Sequence, residues 1–155
     1  LGDEVRPHQC TLVPVAPGEI TSQAGWRREP DDGHLAAVVA RLKARHVRVS
    51  LFVDPEPEAV TFAASTGADR VELYTEAGPE AARRSFERYA DSARLAAGHG
   101  LGVNAGHDLD LHNLVLFCRL PFLAEVSIGH ALISHALFVG LDRAVRDYLD
   151  AVRTD

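Results

Sequence analysis

Two Gly-His pairs, Gly106-His107 and Gly129-His130, each end a short apolar run and lead into a helix-like segment. A backbone turn there presents the imidazole of His107 to a cavity, a position suited to general acid or base work; the plainer alternative is a loop histidine. At Gly129-His130, glycine permits close approach, and the N–H groups and dipole opening the next helix favour an anion such as phosphate. Here the alternative is a histidine that merely caps the helix. Glu72 sits mid-strand between Val71 and Leu73, where an ionised carboxylate needs donors, a cation or a raised pKa. It is either a functional carboxylate or a buried glutamate bonded to neighbouring strands.

Other groups admit rival readings. The run His107-Asp108-Leu109-Asp110-Leu111-His112 holds enough ligand types for a metal-dependent hydrolase, although Asp110 also suits a helix N-cap. Asp54, before Pro55, is either a site carboxylate or the cap of a helix starting near Glu56. Trp26, after Gly25, is a loop anchor or a lid. His8, His34, His46, His99 and His135 read as surface or loop histidines.

Positioning these groups requires alternating elements. Strands are expected over 9–14, 47–54, 70–75, 101–105 and 125–128, and helices over 33–45, 58–65, 79–97, 110–119 and 131–152. Such alternation with short connections predicts a parallel sheet with right-handed crossovers. Period two gives each strand one aliphatic face, such as Val71 and Leu73, set against a polar or small one, such as Glu72 and Tyr74, or Asn104 and Gly106. A doubly wound sheet needs both faces aliphatic. A barrel needs aliphatics under the outer helices and functional groups inside, at the carboxyl ends of the strands. The expected fold is therefore an α/β barrel of the (β/α)8 type. Five units fall short of the ~200 residues that eight require, so residues 1–155 are expected to be one incomplete domain lacking its amino-terminal units.

Composition agrees with a globular domain: 155 residues, 46% hydrophobic and 25% charged. No apolar run approaches the length of a membrane span. The net charge of -6 argues against a nucleic-acid partner held through phosphates. Cys10 and Cys118 read as two buried thiols in a reducing cytoplasm. The chain has no methionine and opens in charged, loop-like sequence, which reads as a fragment or a trimmed chain.

Taken in order, Val49-Ser50-Leu51-Phe52-Val53-Asp54, Val71-Glu72-Leu73-Tyr74-Thr75, Val103-Asn104-Ala105-Gly106-His107 with Asn113, and Ile128-Gly129-His130-Ala131 with Gly140-Leu141 resemble the pyridoxine 5'-phosphate synthase family. That resemblance implies a barrel enzyme of vitamin B6 (pyridoxal phosphate) biosynthesis. The family condenses 1-deoxy-D-xylulose 5-phosphate with 3-amino-2-oxopropyl phosphate, releasing phosphate and water, without metal or organic cofactor. By the same resemblance His107 is the proton donor and Glu72 the carboxylate that stabilises the transition state. Thr21 binds the sugar phosphate, and Gly129 and His130 bind the amino-ketone phosphate. Asp108 stands at a substrate-contacting position where the family usually has glycine. Ser127 replaces a usual asparagine, and Val15-Ala16-Pro17 a usual Glu-Lys-Arg. A homo-oligomer in the cytoplasm, with the last helix at its interface, is also implied. The departures motivate an alternative, a non-catalytic relative that binds a phosphorylated metabolite or serves in assembly.

Overall fold

The computed structural model describes residues 2–15, 18, 22, 24–28 and 33–153. A short helix α1 (Gly2–Val5) precedes strand β1 (Gln9–Leu12), and then come α2 (Gly33–Lys43), β2 (Arg48–Val53), α3 (Pro57–Ser65), β3 (Arg70–Thr75) and α4 (Pro79–Gly98). The remainder is β4 (Gly102–His107), α5 (Leu114–Phe117), β5 (Leu123–Ile128), α6 (His130–Val139) and α7 (Leu141–Arg153). All pairings are parallel and the strand order follows the chain, β1-β2-β3-β4-β5. This is the α/β class with the expected strand-helix alternation.

The sheet is strongly curled. In a flat sheet β1 and β5 would stand roughly 19 Å apart, at about 4.8 Å per strand. Instead the Gln9 amide Nε2 donates to Glu125 Oε2 at 3.1 Å, joining the two edge strands across the concave face. The aliphatic faces lie on the convex side: Val49, Leu51, Val53, Val71, Leu73, Val103 and Ala105 are all fully buried and form one core with Val39, Val60, Phe62 and Tyr89 of the helices. Curling follows from that asymmetry, since one face packs under helices while the other carries small and polar side chains.

Three differences from the sequence expectation stand out, besides shifts of two residues at one end of β1, α2 and β5. The span 131–152 is two helices, because Gly140 adopts φ 86° and breaks the run between α6 and α7. The span 110–119 holds only the four-residue α5, preceded by a turn; Asp110 Oδ1 accepts the N–H groups of His112 (2.8 Å) and Asn113 (2.9 Å), so the carboxylate caps that turn. Strand β4 runs two residues further than expected and takes in His107. Both cysteines are free and half-buried rather than buried, and burial pushes the Cys118 thiol pKa up. No helix among the described residues is long and apolar enough to cross a membrane.

Candidate active site

The concave face is built in layers, each drawn from alternate strands, as side chains inside a parallel barrel are. Nearest the amino ends lie Gln9 of β1, Arg70 of β3 and Glu125 of β5. Glu125 pairs with Arg48 at 2.7 Å and Arg70 at 3.5 Å, and Asn104 Nδ2 donates to it at 3.4 Å. Arg48 Nε also donates to Gln9 Oε1 at 2.8 Å, and Arg70 to Asn104 Oδ1 at 2.8 Å. The next layer up is Thr11, Glu72 and Ser127. Both hydroxyls donate to Glu72 Oε2, each at 3.2 Å. Glu72 is 7% exposed and no ion pair reaches it among the described residues. Burial pushes its pKa up, and repulsion from Glu125 adds to this, while the two hydroxyls and His107 oppose it.

Gly106 exists for this carboxylate. A Cβ on Gly106 would collide with Glu72 Oε1 and press on Ser127 Cβ. The glycine of the Gly106-His107 pair thus serves Glu72 before it serves the histidine that follows.

Above Glu72, toward the carboxyl ends, Phe52 and Tyr74 flank the His107 ring, with centroids 5.9 Å and 4.8 Å away. Strict alternation would send His107 to the convex side with Val103 and Ala105. Its φ of 101° breaks that alternation and sets the ring beside residues of the concave face. A non-glycine residue in the left-handed region stores local strain, of the kind that collects at functional sites. His107 Nδ1 lies 3.2 Å from Asp108 Oδ1. Burial raises the Tyr74 pKa, and the charges of Asp108, Asp54 and Glu76 raise it further, so the phenol stays protonated near neutral pH.

Gly129 and His130 follow β5 directly, and Ile128 is the register partner of His107, so both histidines stand at the same end of the sheet. Gly129 is the N-cap of α6 with no side-chain cap bond, and a Cβ there would meet open space. The His130 side chain is exposed and bonds to neither Glu72 nor His107 among the described residues. Thr21 lies outside the described residues.

Asp54 proves to be a loop clamp. Its Oδ1 accepts the Gly25 N–H at 3.1 Å and its Oδ2 pairs with Arg27 at 3.1 Å, while α3 has no side-chain cap. Trp26 anchors the same loop, donating Nε1–H to Leu12 O and its backbone N–H to Phe52 O, both at 2.8 Å. Among the described residues no group of three His, Cys, Asp or Glu side chains gathers around a point that could hold a metal.

Sequence reasoning missed Thr11, the positioning of Ser127 and the Arg48–Arg70–Glu125 network. Period-two alternation of Gln9 and Thr11 against Cys10 and Leu12 would have placed Thr11 on the concave face. The bond from Thr11 to Glu72 spans two strands and needs the curl.

A curled parallel sheet with helices on its convex side and polar groups converging at its carboxyl ends defines an α/β protein of the kind that carries its chemistry at one mouth. Comparison with known proteins makes this specific. The family model described as "Pyridoxal phosphate biosynthesis protein PdxJ" matches residues 1–154, and the chain belongs to that family. Among curated relatives, the Pyridoxine 5'-phosphate synthase of Porphyromonas gingivalis is 45% identical over 153 residues, covering 96% of this chain and 64% of the relative. That of Cytophaga hutchinsonii is 47% identical over 157 residues (96% and 65%), and that of Bacteroides thetaiotaomicron 44% over 155 residues (97% and 65%). The chain thus spans just under two thirds of the length of these relatives.

Proposed function

We propose that this chain supplies the later five units of a (β/α)8 barrel with pyridoxine 5'-phosphate synthase activity, joining 1-deoxy-D-xylulose 5-phosphate to 3-amino-2-oxopropyl phosphate. The observation that carries this reading is the convergence of Glu72 and His107 on the concave face in a chain of this family. Each layer of an eight-stranded barrel takes four side chains from alternate strands. The layer of Thr11, Glu72 and Ser127 has three, which leaves a seat for one more strand in a barrel of that size.

In this proposal His107 delivers a proton to the oxygen that leaves as water. The Asp108 carboxylate lies 3.2 Å from the buried Nδ1 without hydrogen-bond alignment and acts there as a nearby charge. Condensing an amine with a ketone passes through a cationic carbon–nitrogen centre, and Glu72 offsets that developing charge without a cofactor. Gly129, His130 and Asp108 border the amino-ketone phosphate at the start of α6, where unbonded backbone N–H groups favour an anion, and Thr21 contacts the sugar phosphate. The exposed apolar residues Ile133 (57%), Leu137 (82%) and Phe138 (89%) on α6 support a homo-oligomer with this region at its interface, and a cytoplasmic location suits biosynthesis from small phosphorylated metabolites.

The test is turnover by the whole protein. His107→Ala is expected to lower kcat by about 10²–10⁴-fold, the usual contribution of a general acid, with its circular dichroism unchanged. Unchanged turnover would refute the assignment. Binding of both substrates with no turnover in the unmutated protein would favour the non-catalytic alternative, which Asp108, Ser127 and Val15-Ala16-Pro17 motivate.

A further inference from the structure

We propose that Thr11 and Ser127 are positioning residues that occupy one oxygen of Glu72 and so fix the other, Oε1, as the oxygen that meets the substrate. The proposal rests on the catalytic reading of Glu72 and adds which atom acts and what holds it.

Thr11 Oγ1 and Ser127 Oγ both donate to Oε2, at 3.2 Å each, whereas Oε1 accepts no hydrogen bond among the described residues. Two donors use both lone pairs of Oε2. Oε1 instead lies over Gly106, where the missing Cβ leaves it room. A carboxylate held at one oxygen cannot rotate its two oxygens past each other without breaking both bonds. The substrate therefore always meets the same oxygen, the one to which no described residue donates.

The donors come from opposite edges of the sheet, Thr11 from β1 and Ser127 from β5. Neither is near Glu72 in sequence, and both reach it only because the sheet is curled. The orientation of the carboxylate is thus tied to the curvature of the whole sheet. Ser50 provides an internal contrast. Its hydroxyl is on the same concave face and fully buried, yet it has no hydrogen-bond partner among the described residues. A hydroxyl on this face is not enough; the layer of alternate strands selects the two that reach Glu72.

The experiment uses the whole protein carrying carboxyl-¹³C glutamate, with the Glu72 resonance assigned by its loss in Glu72→Gln. Thr11→Val and Ser127→Ala are each expected to raise the Glu72 titration midpoint by about one pH unit, since each removes a donor that favours the charged form. Each is also expected to lower kcat about tenfold with KM within about twofold, the pattern of an interaction made mainly in the transition state. Ser127→Thr, which keeps the hydroxyl, should hold both values near those of the unmutated protein, and Ser50→Ala should leave the midpoint in place. A midpoint that stays put in both donor variants overturns the proposal, and so does a loss of kcat without a moved midpoint, which marks a merely structural effect. If the unmutated protein shows no turnover, the functional reading fails, yet the midpoints still decide whether Thr11 and Ser127 govern Glu72.

Discussion

Glu125 and Glu72 sit in adjacent layers of one concave face, and the sheet treats them in opposite ways. Glu125 meets two guanidiniums, from Arg48 and Arg70, and two amides, from Gln9 and Asn104. Glu72 meets two hydroxyls and no cation among the described residues, and burial holds its pKa above the ordinary glutamate value. The lower carboxylate is spent on structure: it ties β1 to β5 and closes the amino end of the sheet. The upper one keeps an oxygen unoccupied beneath a strained histidine. Saturated charge at one end and unsaturated charge at the other give the concave face a floor and a mouth.

If that contrast is right, isosteric removal of each charge should have separate consequences. Glu72→Gln is expected to cut kcat of the whole protein by about 10²–10³-fold, the scale for losing one electrostatic stabiliser of a transition state, with little loss of fold. Glu125→Gln should leave kcat within about twofold and instead cost about 1 kcal/mol of stability. That modest figure reflects solvent screening, because Glu125 and Arg48 are both 39% exposed. Steady-state kinetics and urea unfolding on the two variants check this. Reversed outcomes would break the distinction between floor and mouth.

The two concave glycines of β4 sharpen the contrast at smaller scale. A methyl on Gly106 meets the fixed Glu72 carboxylate and Ser127 Cβ, while the nearest atoms to a methyl on Gly102 belong to the Arg70 side chain, with Cγ at 2.9 Å. Gly106→Ala is expected to destabilise by about 1–3 kcal/mol, the cost of overpacking a well-filled site. Gly102→Ala should cost about 1 kcal/mol or less, because the flexible Arg70 stem can shift. Chemical denaturation of the two variants ranks them, and equal losses would mean that the upper layer is as adaptable as the lower.

Much of this was legible in the chain itself. Strand β3 has the bounds expected from its alternation, and Glu72 and Tyr74 share the concave face opposite Val71 and Leu73, because period two is a local property. His107 was legible as a group at the carboxyl end of a strand, but the face it takes was not. Its direction depends on a positive φ that residue types alone do not announce, and alternation would have put it on the wrong face. The apolar run after Gly129 reads as one continuous helix because Gly140 is a single weak interruption, and only the backbone shows that it ends α6. Asp54 and Trp26 were undecided because their partners, Gly25, Arg27, Leu12 and Phe52, come together through tertiary packing of a loop on β2. Alternation sets Ser127 on the polar face of its strand, against Val126 and Ile128, but not its bond to Glu72, which crosses from β5 to β3 and exists only in a curled sheet.

The smallest expected effect concerns how stability depends on pH, where Glu72 and Asp69 should act with opposite sign. Burial raises the Glu72 pKa above its ordinary value of 4.5, so the folded state holds that proton more tightly than the unfolded state does. Between the unfolded and the raised folded value, stability contributed at this site falls as pH rises, because ionising the buried carboxylate costs more in the fold. For Asp69 burial also pushes upward, but the Lys43 ammonium and the Val49 N–H outweigh it and lower the pKa below 3.8. Its contribution is present above that unfolded value and is lost as pH falls through the depressed one. Urea midpoints measured at successive pH values should therefore show Glu72→Gln gaining on the unmutated protein as pH rises past 4.5, and Asp69→Asn losing least at the acid end. If Glu72→Gln instead gains as pH falls, the carboxylate is better stabilised in the fold than in water, and the mouth is as saturated as the floor.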